Sequence, residues 1–405
     1  MLCPDDRFEK FVDIRGTKAL VVSSIESWTG RRSESMDDVE YMRQALELAR
    51  MGYGRTSPNP MVGALLVKDG KVVGRGYHRK AGEPHAEVDS LRYAGELSRG
   101  ATLYVNLEPC CFQGKTPPCT RALIDAGISL VVYAVEDPNP RVSGKGAEIL
   151  KRAGTEVRGG VLADEARKLN EVYFKYIRTH IPFILLKVAS TLDGRIAASD
   201  GSSRWVSSEE SRSHCHWLRN GVDAVMVGVE TVIRDDPQLT VRLVERVKDP
   251  KRMVLDSRLR TPLEAKVLTK GGDSIVVTTR RANPDKRRTL EEKGIEVWVM
   301  EEDDNGTVDI REVVREAGKR GITSIMIEGG NRVYTSALRA DVVDKVILFL
   351  SPKILGEGIP SFSSLGIGKM EGALNLKEVA VQKVGEDLMV EGYLGHPDSQ
   401  IPSER

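Results

Sequence analysis

The segment Gly82-Glu83-Pro84-His85-Ala86-Glu87, followed by Glu108-Pro109-Cys110-Cys111-Phe112-Gln113-Gly114-Lys115-Thr116-Pro117-Pro118-Cys119, decides how the first half of this chain is read. One imidazole and two thiolates, from His85, Cys110 and Cys119, satisfy only part of the tetrahedral shell that Zn²⁺ prefers. The fourth position is left to water, which the ion acidifies toward neutral pH. Glu87 is spaced to move the proton of that water without itself binding metal. A structural zinc knot is the competing reading, and it needs a fourth protein ligand. Cys111 is the only spare candidate, and it directly follows Cys110, a spacing that rarely lets both thiolates reach one ion.

The order His-x-Glu, then Pro-Cys, then Cys resembles the signature of zinc-dependent base deaminases, in which the glutamate is general acid and base. The spacer departs from that signature, because Cys111 to Pro118 separate the two cysteine ligands where two residues would be usual. The insert brings a cation, a hydroxyl and a Gly-Pro framework, the parts of a loop folded over a phosphorylated substrate.

Working outward, apolar Met61–Val67, the tight-turn pair Asp69-Gly70 and Lys71–Tyr77 predict a hairpin. Pro84 predicts the start of a helix bearing His85 and Glu87. Ala101–Leu107 reads as a strand, Cys119–Ala126 as a helix closed by Gly127, and Ile128–Val135 as a buried strand. Upstream, Asp37 and Asp38 cap a helix whose apolar positions Val39, Met42, Leu46 and Ala49 recur at helical spacing. Organisation begins so abruptly there that residues 1–35 read as an extension and Met36 as a candidate initiator.

A chain of 405 residues is long enough for two domains. With 60 basic and 59 acidic side chains it has no global attraction for nucleic acid. Five cysteines, three of them in the zinc region, fit a reducing compartment. No apolar run reaches the length of a membrane span, and residues 1–35 lack the apolar core of a signal peptide. The expectation is a cytoplasmic protein with no membrane or nucleic-acid partner. A helical pattern over Val161–Tyr176 leads to Pro182, where a new core begins. The expected division is a zinc-dependent domain over 36–180, a second domain over 181–397 and a tail over 398–405.

In the second domain, Phe183–Ala189, Ala224–Val229, Arg252–Asp256, Ser274–Thr279, Ile295–Val299, Ser324–Ile327 and Lys345–Leu350 read as strands between helical stretches. They predict an α/β sheet with helices on both faces. No Gly-x-Gly-x-x-Gly follows any of them. Instead Glu328-Gly329-Gly330 joins a strand to a helix near Arg332, a turn at which the backbone can approach a pyrophosphate. His214-Cys215-His216 is no metal motif on a helix, where residues two apart face nearly opposite ways.

Taken with Pro58-Asn59-Pro60, Asp137-Pro138-Asn139-Pro140, Lys187–Arg195 and Asp235-Asp236-Pro237, these motifs make the chain similar, from about Met36 to Gly395, to the bifunctional deaminase/reductases of riboflavin biosynthesis. The resemblance implies a cytidine-deaminase-like N-terminal domain and a dihydrofolate-reductase-like C-terminal one. It further implies hydrolytic deamination of a 2,5-diamino-6-ribosylamino-pyrimidinone 5′-phosphate, followed by NADPH-dependent reduction of the ribosyl group to ribityl. By resemblance, Asn59 and His78 line the pyrimidine and ribose region, Lys115 and Thr116 lie near the phosphate, and Asp137 and Asn139 complete the pocket.

In the reductase half, the resemblance assigns Ala189, Trp205, Thr231, Asp235 and Ser257 to the cofactor, with Gly330, Asn331, Arg332, Val333, Tyr334, Thr335 and Ser336. It assigns Ser203, Arg219, Leu239, Arg242 and Glu328 to the substrate, the two arginines being suited to its phosphate. Lys187 would polarise or protonate near the reacting sugar. Arg280 and Arg281 read either as a grip on a cofactor 2′-phosphate or as surface charge. A homo-oligomer is expected. Two readings from other classes stand beside this one: a single-activity nucleotide or tRNA deaminase with a non-catalytic C-terminal half, and a non-enzymatic protein held by structural zinc.

Overall fold

Two sheets, built from the apolar runs above, organise residues 36–114, 117–269 and 273–395, which are those the computed structural model describes. The expected extension 1–35, the tail 398–405, and Lys115 and Thr116 lie outside them.

Helix α1 (Met36–Arg50) carries Asp37 and Asp38 in its first turn, where the helix dipole favours carboxylates. Its stripe of Met42, Ala45, Leu46 and Ala49 is buried. Strands β1 (Gly63–Lys68) and β2 (Lys71–Tyr77) pair antiparallel. Asp69 (φ 49°) and Gly70 (φ 70°) join them with two left-handed residues, which match the twist of a hairpin. Then follow α2 (Ala86–Ala94), β3 (Thr102–Leu107), α3 (Cys119–Asp125), β4 (Leu130–Val135), α4 (Lys145–Arg152) and β5 (Glu156–Gly159). The sheet order is β2-β1-β3-β4-β5, antiparallel as far as β3 and parallel beyond it.

Helices cover both faces at close range. A Cβ on Gly63 would stand 2.1 Å from the Ala45 carbonyl oxygen of α1, and one on Gly76 would stand 2.3 Å from that of Ala86 in α2. Only glycine lets α2 lie that near β2, and this closeness sets His85 and Glu87 against the sheet.

The pattern expected to run as one helix through Val161–Tyr176 is two, α5 (Ala163–Leu169) and α6 (Glu171–Thr179). The break is Asn170, whose side chain accepts from the Met61 backbone N–H (2.7 Å) and donates to the Met61 carbonyl (2.9 Å). Helical periodicity does not register a side chain recruited to hold another segment.

The second sheet begins with β6 (Phe183–Thr191), β7 (Arg195–Ala197), α7 (Glu209–Gly221), β8 (Ala224–Gly228), α8 (Val229–Asp235), β9 (Lys251–Leu255) and α9 (Lys266–Thr269). It continues through β10 (Ser274–Thr279), α10 (Pro284–Glu292), β11 (Glu296–Met300), α11 (Ile310–Lys319), β12 (Ser324–Gly329), α12 (Asn331–Arg339) and β13 (Lys345–Ser351). The short β14 (Ile359–Pro360) pairs with β7, and β15 (Lys377–Val384) and β16 (Asp387–Tyr393) close the chain's strands.

The order is β11-β10-β9-β8-β12-β6-β13-β16-β15, parallel from β11 to β13, with an antiparallel pair at the edge. Alternate residues face opposite sides. Leu185, Val225, Val254 and Met326 pack with residues of α7, α8 and α10, whereas Ile184, Met226, Met253 and Ile327 pack with α11 and α12.

Residues from Met36 onward form one compact unit. The two sheets are tied by a buried Lys175–Asp344 ion pair (2.6 Å), by Ser57 donating to Asp223 (2.8 Å), and by Tyr53 stacked on Trp217 at 4.5 Å. Among the described residues, no helix is long and apolar enough to cross a membrane.

Candidate active sites

His85 is the residue before α2, in extended conformation (φ −74°, ψ 162°), so the helix starts one residue beyond the imidazole. Cys110 follows β3, and Cys119 is the first residue of α3. These elements bring one donor atom from each side chain to within 4.8 Å of the others. His85 Nδ1 lies 3.2 Å from Cys119 Sγ and 3.5 Å from Cys110 Sγ. Tetrahedral zinc, at its usual bond lengths, separates such ligand atoms by roughly 3.5–3.8 Å, so the donor set fits zinc. The neighbouring Cys119 thiol and the His85 imidazole hold Cys110 down to about 4, a thiolate at neutral pH.

Glu87 is 3% exposed, and its Oε2 has no hydrogen-bond partner among the described residues. Burial pushes its carboxyl above the usual range. A buried, unpartnered carboxylate oxygen beside three metal donors is costly unless something else meets it there. Asn59 and His78 stand alongside. His78 Nδ1 faces the Pro84 carbonyl (3.2 Å) and so carries the proton, which leaves Nε2 to accept from Asn59 Nδ2 (3.1 Å). The His78 ring meets the His85 ring edge-on at 5.3 Å, and burial lowers its pKa.

Asp137 Oδ1 accepts from the Asn139 N–H (2.9 Å) and the Tyr173 hydroxyl (2.8 Å), and burial pushes its carboxyl up to about 6.

The second site lies at the carboxyl ends of the parallel strands, where open α/β sheets bind ligands. Leu186 of β6 pairs with Ile327 of β12, so Lys187 and Glu328, one residue on, share the opposite face. Glu328 takes a two-pronged ion pair from Arg219, Nε to Oε1 at 2.6 Å and Nη2 to Oε2 at 2.8 Å, while Arg219 Nη1 donates to the Thr240 carbonyl. Cys215 Sγ donates to Glu328 Oε2 at 3.4 Å.

Lys187 is half-buried, and its ammonium forms no hydrogen bond or ion pair among the described residues and sits 5.6 Å from the Phe349 ring centre. At the Gly329-Gly330 turn, a Cβ on either glycine would meet Thr231 Oγ1 at 3.2 Å, and α12 begins at the next residue.

The Cytidine and deoxycytidylate deaminase zinc-binding region matches residues 35–135, and the RibD C-terminal domain matches 182–390. A riboflavin biosynthesis protein RibD from Aquifex aeolicus is 48% identical over 353 residues, covering 87% of this chain and 97% of its own length. The chain belongs to the RibD family. The Escherichia coli RibD is 39% identical, with 87% of this chain and 98% of its own covered.

Among solved structures, Acinetobacter baumannii RibD aligns with a TM-score of 0.81 at 38% identity, covering 89% of this chain and 99% of that one. A Thermotoga maritima deaminase/reductase of the pathway aligns at 0.77 and 37%, covering 88% and 98%. This RibD-family chain is thus a bifunctional deaminase and reductase of riboflavin biosynthesis. Its first half is a cytidine-deaminase-like zinc-binding domain, and its second is a reductase domain for a nicotinamide cofactor.

Within this RibD fold, the expected reductase residues fall into three groups. Ser203, Asp235, Thr231, Gly330 and Lys187 stand near the strand ends, with the Arg204 guanidinium donating to the Asp235 carbonyl (3.0 Å). Trp205 is 62% exposed, with the Arg212 guanidinium 4.3 Å from its ring centre. Lys353 holds its carbonyl at 2.7 Å. Ser257 lies farther out, at the end of β9, its hydroxyl accepting from the Val308 N–H (3.0 Å).

The remainder are mixed, some packed inward and some exposed. Leu239, Val333 and Tyr334 are core residues, and the Tyr334 hydroxyl donates to the Lys187 carbonyl (2.9 Å). Thr335 links Asn331 to Ser363, while Asn331 reaches Pro360 and Ser363. Arg332 and Ala189, exposed and half-buried, complete the set with half-buried Ser336. Arg219 is spent on Glu328, whereas the Arg242 guanidinium forms no ion pair among the described residues and bonds there to Thr240 alone.

The three partners of His214-Cys215-His216 are all different. His214 packs on Trp217 and Phe349, Cys215 bonds to Glu328, and His216 Nδ1 accepts from the Arg242 backbone N–H (2.9 Å). Arg280 and Arg281 pair with Glu301 and Glu302.

Residues that the sequence did not single out also build the sites. Asn106, wholly buried inside an otherwise apolar strand, accepts from the Gly63 N–H and donates to the Met61 carbonyl, opposite Asn170. A carboxamide in the middle of Thr102–Leu107 is the signal that could have revealed it. Tyr173 and Glu108 carried no such signal.

Proposed function

We propose that the deaminase half acts on 2,5-diamino-6-(5-phosphoribosylamino)pyrimidin-4(3H)-one and that the reductase half then converts the ribosyl side chain of the deaminated product to ribityl with NADPH. The observation that carries the first step is the unpartnered Glu87 oxygen beside the His85, Cys110 and Cys119 donors. Bound zinc at those donors would lower the pKa of a water. Glu87 would pass one proton of that water to the ring nitrogen and then the second, from the added hydroxyl, to the leaving amine, so that water and the amino-bearing carbon yield a carbonyl and ammonia. Asn59 and His78 would hold the heterocycle, with the His78 tautomer set by the Pro84 carbonyl and the Asn59 amide oriented by His78. Asp137 and Asn139 would bound the ribose side, and Lys115 and Thr116 the phosphate.

In the second half the cofactor supplies hydride. Lys187, beside Glu328 with its ammonium unpaired among the described residues, would donate a proton to the opening sugar ring, and Arg242, whose guanidinium forms no ion pair among the described residues, would meet the phosphate. Trp205, Thr231, Asp235 and the Gly329-Gly330 turn, with Asn331 and Arg332 at the start of α12, would hold the dinucleotide. Arg258, which follows Ser257 and forms no side-chain hydrogen bond or ion pair among the described residues, is the cation we assign to the 2′-phosphate that separates NADPH from NADH.

Four free thiols among the described residues support a cytoplasmic location. The sheet edge β15, with Val379 and Val381 exposed, supports a homo-oligomer, which light scattering checks.

The test follows ammonia and NADPH together after adding the diaminopyrimidinone. Ammonia release and then NADPH oxidation are expected in the intact enzyme. In Lys187→Met, ammonia release persists while NADPH oxidation falls about 100-fold, the usual share of a general acid. Ammonia without NADPH oxidation in the intact enzyme would leave a deaminase alone.

A further inference from the structure

Glu108 stands one residue before Pro109-Cys110 and is 2% exposed, yet no cation pairs with it among the described residues. Its partners are backbone N–H groups of a distant segment. Oε2 accepts from Gly144 at 2.9 Å and from Asp137 at 3.4 Å, and Oε1 accepts from Ala147 at 3.0 Å. Gly144 and Ala147 are the N-cap and third residue of α4, which has no side-chain cap of its own, so Glu108 caps that helix from another strand. The approach is tight: a Cβ on Gly146 would lie 2.2 Å from the Pro109 carbonyl oxygen.

We propose that Glu108 is the positioning residue that fixes the Asp137–Gly144 loop, one wall of the deaminase pocket, against the peptide bearing the Cys110 ligand. The inference rests on the reading of Asp137 and Asn139 as pocket residues. One carboxylate reaches both ends of that loop, while its backbone continues into Pro109-Cys110. Metal and pocket wall are thereby held at one spacing. Asp137 in turn receives Tyr173, and Asn139 Oδ1 accepts from the Arg141 backbone N–H, so the loop has internal order. Its middle also meets the metal peptide, where Cys111 Sγ donates to the Arg141 carbonyl at 3.5 Å and the Arg141 guanidinium lies 3.9 Å from the Phe112 ring centre, but Glu108 alone among these ties reaches the loop's two ends.

A Glu108→Gln amide must turn an NH₂ toward at least one of these N–H groups. The expected result is a KM for ammonia release raised about tenfold, the loss of one charge-assisted bond, with kcat little changed and zinc stoichiometry intact. NADPH oxidation on the deaminated substrate, measured on the same chain, should be unaltered. Gly146→Ala keeps the Glu108 charge but wedges α4 off Pro109 and crowds Glu108 Oε1, 3.1 Å from the added Cβ, and it should raise the same KM. Asp137→Ala serves as the control for the pocket itself.

If Asp137→Ala raises KM and neither of the other variants does, the positioning role is wrong while the pocket reading stands. If none of the three raises it, the pocket reading falls and takes the inference with it. If Glu108→Gln loses zinc or lowers both activities alike, Glu108 serves folding and the proposal is overturned.

Discussion

Glu87→Gln will stop ammonia release by about 10³-fold or more, the scale on which positioned general acid–base groups act, while zinc stays bound and NADPH oxidation on deaminated substrate continues. The amide matches the carboxylate in shape, so the packing of a residue that is 3% exposed is kept. What it loses is the ability to take a proton and give it back. Oε2 makes no hydrogen bond among the described residues, so the amide can place its NH₂ there without breaking a tie. A purely structural zinc site would be indifferent to the change. Ammonia release within tenfold of the parent enzyme would remove Glu87 from the chemistry.

The metal donors were legible because their constraint is local: one residue type at each of three positions, each next to a proline or a strand end. Glu87 was legible for the same reason. Glu108 and Tyr173 were not, because each acts on a segment 29 to 39 residues away, and 36 residues away, through bonds that leave no periodic trace. The reductase half divides similarly. Lys187 and Glu328 sit on strands whose apolar runs fix which face each takes. Leu239, Val333 and Tyr334, assigned by resemblance alone, are packed as core.

The plainest strands in sequence were doubly buried ones, such as Val225 to Val227 or Ile325 to Ile327, where every residue is apolar, although the half-exposed β2 and β11 were read too. The edge strand β15 escaped notice because Lys377-Glu378 and Gln382-Lys383 interrupt its apolar residues and nearly all of it is exposed. Such charge on an edge resists indiscriminate pairing and also hides the strand from a hydrophobicity reading.

Arg219→Leu will destabilise the protein by about 3–5 kcal/mol, the usual result of leaving one member of a buried ion pair alone. The side chains of Arg219 and Glu328 are 10% and 7% exposed. Burial alone would raise the Glu328 carboxyl, but the Arg219 charge overcomes it and holds the group at about 2. A carboxyl depressed in the folded state contributes stability above its unfolded value near 4.5, and that contribution is lost as pH falls toward 2.

Urea unfolding of the parent enzyme should therefore weaken across that window, and in Arg219→Leu this share of the pH dependence should vanish. Converting both residues, Arg219→Leu with Glu328→Leu, should recover most of the lost stability, because two apolar side chains no longer need each other's charge. NADPH oxidation should stay lost in the double variant, since Lys187 then faces no carboxylate. Ammonia release in the other half should survive. Recovery of NADPH oxidation along with stability would mean that the pair holds the sheet together and takes no part in the reduction.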